Sequence, residues 1–235
     1  MFDDVTGRFE LHVFVQPLDP PPEVVAAFRR ACESAAPPMK ALLLQLDYVG
    51  RGFVGVLQSS RYVEGNIATA TAAVRADAEV LRAAGLTVIR EKVEAVATND
   101  GVPHSREQAL PTSATRYFEL HVLIGGTGST GSSDSSSGSR PLDDDDMIAL
   151  RAVSRAFAAK LARPVPLSFN ALKPSQRFLN LRASGVGVEE TLGVVDDLRV
   201  AVEASGLLQV TKVIAEYICF DSHRAVDNGW LEPLP

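Results

Sequence analysis

The sequence predicts an α+β protein made of two copies of one β-α-β-β-α-β unit, and three observations carry this. Phe9-Glu10-Leu11-His12-Val13 returns residue for residue as Phe118-Glu119-Leu120-His121-Val122, and self-similarity at a long offset marks a duplicated structural unit. After each copy, short β-rich runs and long helix-rich runs follow in the same order. Gly85 and Gly206 then close the second long run of each copy, where helices commonly end on glycine.

The elements follow in turn. After the first pentapeptide comes a helical run from Pro22 to Ser34, then a strand over 41–46. A turn holding Gly50 and Gly52 leads into a strand over 53–57. An Ala-rich helix over 64–84 stops at Gly85, and the last strand covers 86–96. In the second copy a helix over 143–161 opens on four aspartates, which suit the positive end of a helix dipole. A strand at 167–170 turns through Lys173-Pro174-Ser175 into a strand at 177–182. A helix over 188–205 ends at Gly206, and a final strand runs over 209–220.

This order resembles the ferredoxin-like split βαβ arrangement. The resemblance implies two tandem ferredoxin-like units, with helices on one sheet face and the first and third strands central. It implies an intramolecular pseudo-dimer with a cavity between facing sheets, and no particular activity. The expected units are 1–100 and 115–235, joined by a mobile linker at 101–114. A Gly/Ser tract at about 125–141 reads as a disordered insertion inside the second unit, because it has too little apolar surface to repay ordering.

A strand's two-residue period assigns its faces. Phe9, Leu11, Val13 and Val15 share one face, as do Phe118, Leu120, Val122 and Ile124; these belong under the helices. Glu10, His12 and Phe14, with Glu119, His121 and Leu123, fall on the uncovered face. The same count adds Arg90, Lys92 and Glu94, then Lys212, Ile214 and Glu216, then Phe178, Asn180 and Arg182. For the third strand of the first half it expects Phe53, Gly55 and Leu57 on that face.

Bulk composition excludes some classes. With 46% hydrophobic residues, 22% charged residues and a net charge of −6, the chain reads as globular, and its acidity opposes a nucleic-acid partner. No uncharged apolar window reaches membrane-spanning length. The start, Met1-Phe2-Asp3-Asp4, lacks the pattern of a secretory signal, so the expected setting is cytoplasmic. Cys32 and Cys219, the only cysteines, read as small buried hydrophobes.

Two function classes follow. The first is a ligand-binding or interaction protein, taking a small molecule or a protein partner on the open faces through Glu10, His12, Glu119, His121, Arg182 and Lys212. Within it, Arg182, Arg177, Lys212 and Lys173 are candidates for an anionic ligand. The second is a metal-dependent enzyme holding a divalent cation with His12, Glu94, His121 and Glu216. That set is similar to the strand-borne His and Glu of the vicinal-oxygen-chelate enzymes, whose repeat lacks the long helix before the last strand. The two-histidine phosphoesterases need His-x-Thr or His-x-Ser, and Phe14 and Leu123 occupy those positions. Asp221-Ser222-His223 is consecutive and so cannot form a catalytic triad.

Overall fold

The computed structural model describes residues 5–48, 52–112, 114–127, 140–173 and 176–224. In chain order the elements are β1 (Thr6–Gln16), α1 (Pro22–Ser34), β2 (Lys40–Tyr48), β3 (Gly52–Asn66), α2 (Ile67–Ala83) and β4 (Thr87–Val96). Then come α3 (Arg106–Ala109), a 3₁₀ turn (Leu110–Thr112), β5 (Tyr117–Gly126), α4 (Asp144–Leu161), β6 (Leu167–Asn170), β7 (Arg177–Ala183), α5 (Val188–Glu203) and β8 (Leu208–Asp221).

Local chemistry sets the ends of these elements. Gly85 and Gly206 follow their helices with φ of +81° and +69°, the left-handed region that glycine enters without steric cost. Asp143 caps α4 by accepting from the Asp146 N–H. Asn66 caps α2 through the Thr69 N–H at 2.9 Å. That cap places the start of α2 at Ile67, three residues later than the composition suggests. The residues between belong to β3, whose pairing with β1 runs out to Asn66 opposite Thr6.

The eight strands among the described residues are antiparallel to their neighbours and close into one barrel in the order β1-β3-β2-β6-β7-β5-β8-β4. Two separate sheets facing each other were expected; the structure instead joins them edge to edge. β2 pairs with β6 through Leu44–Asn170 and Leu46–Ser168, and β4 pairs with β8 from Lys92 to Val96. An edge strand presents a row of unpaired N–H and C=O groups, and these seams satisfy them. The helices pack outside, and the uncovered faces become the barrel interior.

Outside the barrel, Phe9, Leu11, Val13 and Val15 pack with Phe28, Val74 and Leu81. Leu120, Val122 and Ile124 pack with Leu150, Phe157 and Leu198. The phase of β3 differs from the expectation. Leu57 belongs to the helix-side core, while Val54 and Val56 join Phe14 and Leu46 in a separate cluster inside. Both faces of β3 are apolar at this point, so alternation alone could not choose between them; pairing of Leu57 with Val15 and Leu43 does.

The segment at 101–114, expected to be a mobile linker, carries α3 behind a Ser105–Gln108 capping box. It is held to α5 where the Val188 N–H donates to the Pro103 carbonyl and the Arg106 N–H donates to Glu190. Most of the tract at 125–141 lies outside the described residues, as do Pro174 and Ser175. Among the described residues no helix is long and apolar enough to cross a membrane.

Candidate functional site

An eight-stranded barrel leaves an interior just wide enough to be filled by side chains or to hold one small ligand. Here it encloses a cavity of about 470 Å³. Strand direction orders its contents. At one end the buried Phe14, Leu46, Val54 and Val56 form an apolar plug. Beside the plug, Arg90 donates to Asp221 at 2.6 and 2.9 Å, and the Tyr117 hydroxyl donates to the same carboxylate at 2.7 Å. Arg90 and Asp221 have fully buried side chains, so this end is closed. The opposite end is reached by Lys40, Tyr62, Lys173 and Lys212, all exposed and all lining the cavity. That end is the mouth.

Around the circumference the cavity has two kinds of wall. Near the β2–β6 seam it is formed by Leu42, Leu44 and Leu46 with Phe169 and Phe178. Across from them, on β1, β4, β5, β7 and β8, lies a buried ionic network.

Lys92 links the network's two halves, donating to Glu119 at 2.5 Å and contacting Glu94. Arg182 donates to the other Glu119 oxygen at 3.0 Å. The Nε2 of His12 lies 3.0 Å from Glu94, and its Nδ1 lies 2.9 Å from the Ser59 carbonyl. Gln58 stands 2.6 Å from that Nδ1. Glu10 accepts from the Ser60 and Tyr62 hydroxyls, each at 2.5 Å. In the second half the Asn180 amide donates to the Pro166 carbonyl, which turns its oxygen toward His121 Nδ1 at 2.7 Å. His121 Nε2 lies 3.4 Å from Glu216 and 3.9 Å from Glu119.

These contacts decide protonation. The Nε2 of His12 faces the Glu94 carboxylate and its Nδ1 faces the Ser59 carbonyl, acceptors that suit the imidazolium, while the Gln58 amide Nε2, a donor, also points at Nδ1. Burial opposes its charge, but Glu94 and then Glu10 outweigh burial and lift its pKa to about 9. His121 is likewise opposed by burial and lifted to about 9 by Glu216 and Glu119. Burial, then the charge of Glu94, raises Glu216 to about 7. Glu94 and Glu119 resist burial and are held well below the ordinary carboxylate range, Glu94 by Lys92 and His12, Glu119 by Arg182 and Lys92. With neutral imidazoles, Glu10, Glu94, Glu119 and Glu216 would face only Lys92 and Arg182 in this network. Protonating both histidines brings the two signs level when Glu216 is ionised.

Glu10, His12, Glu94, Glu119, His121, Arg182, Lys212 and Glu216 therefore all line one cavity. Of the metal candidates, His12 pairs with Glu94 and His121 with Glu216, and Glu94 also hydrogen-bonds Glu216, so the two pairs adjoin. Glu10, which was not among them, joins His12 and Glu94 in offering ligand atoms within 4.8 Å of one another. Of the anion candidates, Lys173, Lys212 and Arg182 line the cavity, whereas the Arg177 guanidinium lies 3.9 Å over the Phe169 ring. Sequence reasoning put Lys92 on this face but left it out of the site, although it links both halves. Tyr62 and Ser60 were missed because the true length of β3 shows only in its pairing. The leucine wall was missed because apolar residues on β2 read simply as core.

No family model matches the chain, and no curated protein matches it. Among solved structures, that of a "Putative monooxygenase" from Fusobacterium nucleatum is similar over 89% of this chain and 94% of that one, at 9% identity and a TM-score of 0.28. So low a score carries no argument about fold or chemistry.

Proposed function

We propose that this chain is two ferredoxin-like units fused as an intramolecular pseudo-dimer, and that it binds a small molecule inside the shared barrel. One observation carries the reading: a cavity of about 470 Å³, open at one end, with a leucine wall facing a charged one. Ligand sites commonly enclose roughly 300–1,000 Å³ and combine apolar lining with a few placed polar groups. Closure of the barrel also favours a small molecule over a protein partner, since the polar sheet faces are reachable only by what fits through the mouth.

The fluorescent anion 1-anilinonaphthalene-8-sulfonate tests this. One dye per chain is expected to bind the native protein. Leu44→Trp, which fills the leucine wall, is expected to weaken binding by about tenfold or more while leaving the circular dichroism spectrum intact. Dye binding that is absent, or indifferent to Leu44→Trp, would sink the proposal.

A second reading, a metal-dependent enzyme with a His/Glu site, is favoured by the Glu10, His12 and Glu94 cluster. It must displace a proton, because a metal needs the lone pair that the His12 imidazolium lacks. The adjacent Lys92 ammonium also competes with a cation for Glu94. On this reading zinc binds with an affinity that climbs between pH 6 and 9 and disappears in His12→Ala. Calorimetric titration showing no heat from zinc at pH 9 would discard it.

A further inference from the structure

The cavity reveals the class of its ligand through the contrast between its depth and its mouth. Resting on the barrel being a small-molecule site, we propose that the ligand is an amphipathic anion. Its apolar body lies along Leu42, Leu44 and Leu46, and its acidic group is held by the lysines at the mouth.

The acids lining the cavity are already engaged. Glu10 takes two hydroxyl donors, Glu94 takes His12 and Lys92, Glu119 takes Lys92 and Arg182, and Glu216 faces His121. All four are buried or half-buried. Among the described residues the exposed lining ones are Lys40, Tyr62, Lys173 and Lys212, three cations and a phenol with no acid among them. None of these lysines enters an ion pair among the described residues. Tyr62 already donates its hydroxyl to Glu10, and Arg8 lies 4.1 Å over its ring, so a further positive group stands beside the mouth.

This local sign runs against the molecule as a whole, which carries a net charge of −6. A surface left to its average would put acids at this rim; a cationic mouth on an acidic protein draws anions to one place. A cationic ligand finds no free carboxylate in the depth and meets lysines at the entrance. A fully hydrated polar anion would leave the leucine wall without a partner. An aliphatic or aromatic acid satisfies both the leucine wall and the lysines at the mouth.

The test compares two dyes of nearly the same shape, anionic 1-anilinonaphthalene-8-sulfonate and neutral N-phenyl-1-naphthylamine. The anion is expected to bind about tenfold tighter or more, as charge-assisted contacts would produce. The double change Lys40→Gln/Lys212→Gln is expected to remove most of that advantage while leaving the neutral dye within about twofold. Raising sodium chloride from about 0.05 M to 0.5 M should weaken the anion selectively, since exposed charges are screened. These positions are exposed, so the folded state survives the changes; Lys173→Gln provides an independent second variant. Equal binding of both dyes, unmoved by the lysine changes but lost in Leu44→Trp, overturns the anion class and leaves the barrel site standing. Failure of both dyes to bind overturns both proposals.

Discussion

Replacing Glu119 with alanine is expected to lower the unfolding free energy by about 3–5 kcal/mol, among the largest effects of any single change in this protein. Glu119 is 2% exposed and receives both Lys92 and Arg182, themselves 3% and 6% exposed. The attraction in this pair of contacts does little more than offset the cost of taking the charges out of water. The loss comes from what the mutation leaves behind. Lys92 keeps Glu94, and the Arg182 guanidinium loses its contact with Glu119 in a largely buried site. Urea unfolding at pH 7 measures the difference. Removing the three charges together, in Lys92→Met/Glu119→Leu/Arg182→Met, should recover part of the loss, because well-packed apolar residues can replace a buried ionic group at little cost. If Glu119→Ala costs under about 1 kcal/mol, the network is not desolvated as its burial implies.

The second large effect is a fall in stability on the alkaline side of neutrality. His12 and His121 are raised in the folded protein from 6.5 to about 9. A base so raised contributes stability that is full below about pH 6.5 and lost as pH climbs through about 9. Glu216, raised from 4.5 to about 7, acts in the same direction, its contribution falling as pH climbs through 7. Glu94 and Glu119, lowered from 4.5, act oppositely; their contribution is present above about pH 4.5 and lost in acid. Stability should therefore peak near pH 5, fall through neutrality as Glu216 ionises, and go on falling as the histidines lose their protons. At about 1.4 kcal/mol for each tenfold change in proton affinity, His12 contributes up to about 3 kcal/mol to the alkaline fall. His121 contributes less, because a quarter of its side chain is exposed. Urea unfolding at pH 6.5 and 9.5 tests this, and His12→Gln should flatten the dependence. A flat or rising profile over that interval would show that the histidines are not held as imidazolium.

The chain alone was informative wherever chemistry is local. The repeated pentapeptide announced matching strands, Gly85 and Gly206 marked helix ends, and Asp143 marked a helix start. The two-residue period of β1 and β5 separated Glu10, His12, Glu119 and His121 from the apolar face, and those four line the cavity. Period failed on β3, where Val54 and Leu57 are equally apolar and only a neighbouring strand distinguishes in from out.

Three matters were settled only by the assembled molecule. The β2–β6 and β4–β8 seams, which turn two sheets into a barrel, are made from backbone N–H and C=O groups that every residue carries, so no side-chain motif announces them. Which end is plugged depends on Phe14 and Leu46 meeting Val54 and Val56 from separate strands. Which acid each base meets depends on register: His12 finds Glu94 across 82 positions, and Lys92 finds Glu119 across 27. Alternation along a strand is a property of one segment, whereas the pairing of charges belongs to the space between segments.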